Sequence, residues 1–225
     1  LDCSGSMAGD SMRQARVALK HLFKQLNEED SFAYTRFGSS IDRVTKKMTM
    51  AYSERIQTLL STIDKTEADL GGTELAMAMT DVFNMNANGK PRNSPETTDS
   101  ADVLLITDGE VWNIENILAS ARISGHRVYT IGVGTPEGVV LKAEGFQARV
   151  KLDEAPLKQV AEITRGEYFR VANTQDVQRI YQSISSRIVM REHQQTEVTS
   201  LVLCLGMGWL LLGAAWGLMR RGRVL

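Results

Sequence analysis

Two apolar runs, DVLLIT (102–107) and RVYTIGV (127–133), constrain the fold of this chain more than any other feature. A strand with one wet face alternates apolar and polar residues, so a continuous apolar run predicts a strand covered on both faces. Between the two runs Ile114, Ile117, Leu118 and Ala121 recur at helical spacing. A buried strand, a helix and a second buried strand make a parallel crossover unit. The predicted fold class is therefore α/β: a doubly wound, mostly parallel sheet flanked by helices.

The rest of the soluble part keeps that rhythm. Met12, Ala15, Leu19, Leu22, Phe23 and Leu26 share one face of a helix over 8–26. SFAYTRF (31–37) and IDRVTKKMT (41–49) read as strands joined by a tight turn at Gly38, Ser39 and Ser40. Ile56, Leu59, Leu60 and Ile63 mark a second helix, and Leu75, Ala78, Met79, Val82 and Phe83 a third. The polar stretch 86–100, with Asn88-Gly89 and two prolines, reads as an exposed loop. Residues 136–152 break the rhythm: VVLKA, Glu144-Gly145 and FQARVKL read as a hairpin insert. A helix over 153–165 and a short strand EYFRV (167–171) resume the pattern, and Val177, Ile180, Tyr181, Ile184 and Ile188 mark a last amphipathic helix.

Composition changes sharply after that. LVLCLGMGWLLLGAAWGLM (201–219) carries no charge and is about the length that crosses a bilayer. Its four glycines suit a spanning helix better than a soluble one, and Arg220, Arg221 and Arg223 follow at once. The positive-inside tendency puts residues 220–225 in the cytoplasm and everything before Leu201 outside it. The expected organisation is a folded domain over 1–190, a juxtamembrane linker over 191–200, a transmembrane helix over 201–219 and a basic tail. At the other end, Leu1-Asp2 reads as the close of a buried strand whose earlier residues lie upstream.

A net charge of −1 gives no concentrated basic face, so nucleic acid is not an expected partner. His21, His126 and His193 stand alone, and Cys3 and Cys204 lie at opposite ends of the chain. Neither zinc ligation nor a disulfide between those cysteines is expected. GVGTPEG (132–138) lacks the glycine spacing and the following helix that a diphosphate needs. Asp2 is followed two residues on by Ser4, where phosphotransferase chemistry expects a second carboxylate, and no His falls at a strand edge to complete a triad.

What remains is a set of hard oxygens. Open α/β sheets bind ligands beyond the carboxyl ends of their strands. Asp2, Ser4 and Ser6 follow the first strand, and Asp108 follows DVLLIT in TDGE. Thr73 sits in LGGTEL, where Gly71 and Gly72 allow close backbone approach. Two carboxylates and three hydroxyls suit Mg²⁺ or Mn²⁺ and serve zinc poorly. Such a set leaves the cation short of negative charge, so a carboxylate from elsewhere would complete it. Glu74 and Glu110 flank the site as possible partner-contact rim residues, Asp10 supports a first helical turn, and Arg43, Lys46 and Lys47 read as protection of a sheet edge.

DxSGS, GGT and TDG in this order resemble the metal-ion-dependent adhesion site (MIDAS) of von Willebrand factor A (VWA) domains, over about residues 1–190. The resemblance implies Asp2, Ser4, Ser6, Thr73 and Asp108 as metal ligands, and a protein partner that supplies an acidic residue to the metal. LDCSGSMAGDSM, DLGGTE and TDGEV resemble the VWA domains that accompany inter-α-trypsin-inhibitor-type (VIT) modules. YTIGVGTPEG, LDEAPLKQVAEITRGEYFRV and the basic tail resemble membrane-anchored bacterial Bat aerotolerance proteins. That second likeness implies an inner-membrane protein with a periplasmic domain. The function expected is a membrane-anchored, metal-dependent protein-binding module for adhesion or scaffolding, and not an enzyme. The alternative is a regulatory subunit of a cell-envelope complex that works with a MoxR-type AAA+ ATPase.

Overall fold

A computed structural model of the chain describes residues 1–85, 101–109, 114–135, 137–143, 146–171 and 216. The polar stretch 86–100, Glu110, the last amphipathic helix and, Trp216 apart, the expected membrane span lie outside the described residues. Among the described residues no helix is long and apolar enough to cross a membrane.

Within Leu1–Tyr181 the order of elements follows the sequence pattern closely. Strands β1 (Ser31–Phe32), β2 (Thr35–Phe37), β3 (Ile41–Arg43) and β4 (Thr49–Met50) follow helix α1 (Asp10–Phe23). Helices α2 (Ser53–Asp64) and α3 (Leu75–Phe83) precede β5 (Asp102–Thr107), α4 (Ile114–Ser124) and β6 (Arg127–Val133). The hairpin β7 (Val139–Ala143) and β8 (Phe146–Val150), then α5 (Glu154–Ile163) and β9 (Tyr168–Val171), complete the domain.

β5, β6 and β9 form a parallel sheet in that order, with Thr107 opposite Gly132 and Gly132 opposite Arg170. β2 and β3 pair antiparallel, Phe37 opposite Ile41, across the Gly38–Ser40 turn. Leu1–Cys3 joins the two pieces. The Asp2 amide donates to the Ile106 carbonyl at 2.9 Å, and the Cys3 amide donates to the Phe37 carbonyl at 2.7 Å. Asp2 thus lies in the sheet between β2 and β5, in parallel register with Phe37.

The core explains the helices. Leu75, Ala78, Met79 and Phe83 of α3, Ile117 and Ala121 of α4, and Leu157 and Val160 of α5 bury one face each against Phe37, Leu105 and Val128. Residues as enclosed as Val128, Leu157 and Val160 each contribute about 1.5–3 kcal/mol by leaving water. α1 packs against β6 and α2 outside that cluster, so helices cover both faces of the sheet. Asp153 caps α5 by accepting a hydrogen bond from the Ala155 amide at 3.2 Å.

Three expectations change. The strand over 31–37 is two pieces, because the Tyr34 amide donates to the Thr45 hydroxyl at 2.7 Å instead of to a neighbouring strand. The strand over 41–49 likewise splits, Thr49–Met50 pairing with Ser31–Phe32. β5 is fully buried only from Leu105 onward, Asp102, Val103 and Leu104 being half-buried. The hairpin insert is present, Val139 opposite Val150, with its second strand ending two residues short of the expected FQARVKL.

Candidate metal centre

The three motifs occupy one edge of the sheet. Ser4 follows the central segment, Asp108 directly follows β5, and the Gly71–Thr73 loop leads into α3. Backbone hydrogen bonds hold them together. The Gly5 amide donates to the Gly71 carbonyl at 2.7 Å, and the Leu70 amide donates to the Cys3 carbonyl at 3.0 Å. Gly71 has φ of +79°, a conformation that side-chain-bearing residues avoid. The Gly38–Ser40 turn grips the same loop: the Ser39 amide donates to the Leu70 carbonyl at 2.7 Å, and the Gly72 amide donates to Ser39 Oγ at 2.8 Å.

Asp2 is fully buried, and Ser4 and Asp108 are 1 % exposed. Asp2 Oδ1 accepts from the Ser4 amide at 2.9 Å, and Asp2 Oδ2 accepts from the Thr107 hydroxyl at 2.5 Å. Burial pushes the Asp2 carboxyl above its ordinary range, against the pull of the Thr107 and Ser4 hydrogen bonds. The Ser4 and Ser6 hydroxyls lie 3.0 Å apart. Thr73 Oγ1 is closed off from solvent and has no hydrogen-bond partner. A buried hydroxyl left without a partner costs about 1–3 kcal/mol, so this atom asks for a ligand.

Among the described residues no three His, Cys, Asp or Glu side chains cluster as a metal site. The donor set here is different in kind, two acids with three hydroxyls, and those are the hard oxygens that Mg²⁺ and Mn²⁺ accept. An enclosed acid such as Asp2 costs free energy until a cation faces it. The residues present therefore fit a hard divalent cation.

Glu74 stands exposed beside Thr73, its amide donating to the Gly38 carbonyl at 3.0 Å. Glu110, the other expected rim residue, lies outside the described residues. The helix expected to begin near Ala8 begins at Asp10, after a single 3-10 turn over Gly5–Met7. Asp10 accepts from Arg13 at 2.5 Å in that first turn. Arg43, expected to guard a sheet edge, lies on β3, which pairs with β2 alone among the described residues, and it is also ion-paired with Asp81 of α3. Cys3 is buried and free, and burial pushes its thiol up to about 11.

Thr107, although the first residue of the TDG motif, braces the site in a way the motif does not spell out, and Ser39 lies outside the motifs altogether. Thr107 is the polar end of an apolar strand, and a buried polar group of that kind needs a partner, which was the available signal. Ser39 gave no such signal, because its partner Gly72 is 33 positions away.

A model of the von Willebrand factor type A domain matches residues 1–183. The chain belongs to the VWA domain family. A VWA domain-containing protein of Dictyostelium discoideum is 29% identical over 171 residues, 72% of this chain and 18% of the relative. A human inter-alpha-trypsin inhibitor heavy chain is 28% identical over 187 residues, 77% of this chain and 20% of the relative. The VWA chain thus spans about a fifth of the length of these relatives. BatB of Bacteroides thetaiotaomicron matches in structure with a TM-score of 0.63 at 22% identity, over 82% of this chain and 94% of that one. An aerotolerance-related membrane protein of Bacteroides fragilis gives 0.62 at 20% identity, over 81% and 94%. Both likenesses concern the fold.

Proposed function

We propose that this VWA domain is a divalent-metal-dependent protein-binding module that captures a carboxylate of its partner. The VWA family is one of interaction modules, and none of the relatives named above is described as an enzyme. The observation that carries the metal dependence is Thr73 Oγ1, buried and unpartnered beside a loop anchored to the buried acid segment. Ser4, Ser6 and Thr73 would offer hydroxyl ligands, and Asp2 and Asp108 would balance charge. A cation bound there supplies the positive charge that an incoming carboxylate completes.

Tethering to a membrane is part of the same reading. It rests on the uncharged run 201–219 with its arginine stop, and on the fold shared with a protein described as an aerotolerance-related membrane protein. The positive-inside tendency places the domain outside the cytoplasm.

The decisive experiment pairs calorimetric titration of Mg²⁺ and Mn²⁺ with affinity capture from membranes by the full-length protein. The metal should bind the natural chain and bind Asp108→Ala at least tenfold more weakly. Partners should be retained in Mg²⁺ and lost both in EDTA and with Asp108→Ala. Recovery of the same partners in all three conditions would overturn the proposal.

A further inference from the structure

We infer that Thr107 is a positioning residue that ties the first and third metal segments together and sets the affinity of the site. The inference rests on the metal-binding reading above. Thr107 is fully buried at the carboxyl end of β5, directly before Asp108. Its hydroxyl donates to Asp2 Oδ2 at 2.5 Å across 105 positions of sequence, and it accepts from the Gly109 amide at 3.2 Å. One side chain therefore fixes the orientation of the Asp2 carboxylate and the turn that carries Asp108.

The surroundings make that link consequential. Asp2 Oδ1 is already held by the Ser4 amide, so Thr107 removes the remaining freedom of the carboxylate to rotate. The turn is pinned from its other side as well, because the Asp153 amide donates to the Asp108 carbonyl at 3.0 Å. Charge-assisted hydrogen bonds of this length are the strong ones, and they preorganise a ligand before the metal arrives. Partners that orient metal ligands typically change affinity by about 10–100-fold when removed. Thr107 touches no reacting atom; it acts through Asp2 and Asp108.

Thr107→Val keeps the shape and removes the hydroxyl, whereas Thr107→Ser keeps the hydroxyl and removes the methyl. Mn²⁺ titration followed by calorimetry should show Thr107→Val weaker by about 10–100-fold and Thr107→Ser within about threefold of the natural chain. Amide exchange measured without metal should accelerate at Ser4 and Gly109 in Thr107→Val alone. Equal Mn²⁺ affinity of Thr107→Val and the natural chain would overturn the inference. So would a Thr107→Ser variant about tenfold or more weaker than the natural chain, and this arm decides if Thr107→Val does not fold. If the natural chain itself binds no Mn²⁺, the metal reading falls. The exchange rates then judge Thr107: unchanged protection at Ser4 and Gly109 in Thr107→Val refutes its positioning role.

Discussion

Replacing Thr73 by Val should raise the stability of the metal-free domain and lower that of the metal-loaded one. Thr73 Oγ1 is enclosed without a partner, so its removal relieves a penalty of about 1–3 kcal/mol. Taking the low end, and about 2–4 °C per kcal/mol for a domain of this size, the melting temperature in EDTA should rise by about 2–4 °C. Metal reverses the order. At a concentration of about 100 times its dissociation constant, a cation adds about 2.7 kcal/mol to the natural domain. If losing one hydroxyl ligand weakens binding about a hundredfold, the variant gains only about 0.4 kcal/mol at the same concentration. The difference of about 2.3 kcal/mol exceeds the head start of about 1 kcal/mol. Melting curves followed by circular dichroism, with EDTA and with Mg²⁺, should therefore cross. A Thr73→Val chain that melts below the natural one in EDTA, or gains as much from Mg²⁺, would refute the reasoning.

Gly109 has φ of +84°, and a Cβ placed there would lie 2.0 Å from the Asp153 carbonyl oxygen. Gly109→Ala should therefore cost about 3 kcal/mol or more in urea denaturation, and a loss under about 1 kcal/mol would mean that the turn relaxes freely. Burial pushes the Tyr34 phenol up to about 12, against a weak hydrogen bond with Thr66 at 3.4 Å. An acid raised by folding stabilises below its unfolded value near 10, and that contribution is lost as pH rises toward 12. Tyr34→Phe should consequently gain urea resistance relative to the natural chain between about pH 9 and pH 11.5. A constant difference across that window would contradict the burial of the phenol.

The fold was legible wherever local pattern and tertiary demand agree. The helices carry the helical period, and β5 and β6 are apolar runs too short for a buried helix. The failures have a common cause in non-local partners. Nothing near Tyr34 in sequence announces that its amide leaves the strand for Thr45, 11 positions on. The ion pair of Arg43 was hidden in the same way, because Asp81 belongs to a helix 38 positions away.

The candidate site divides along the same line. Asp2, Ser4, Ser6 and Asp108 were readable as candidates because each is a hard oxygen in a short motif at a strand end, and Thr73 because it follows a glycine pair in the loop before α3. The contacts that hold the motifs in place were hidden, because they run between segments far apart in sequence. Ser39 braces Gly72, and Thr107 braces Asp2, only once Leu1–Cys3 has taken its register between β2 and β5. The oxygen-bearing residues of the proposed metal site are thus encoded locally, while their geometry is encoded by sheet order. It follows that a substitution that shifts the register of Leu1–Cys3 should disable the site even with all five oxygen-bearing residues intact.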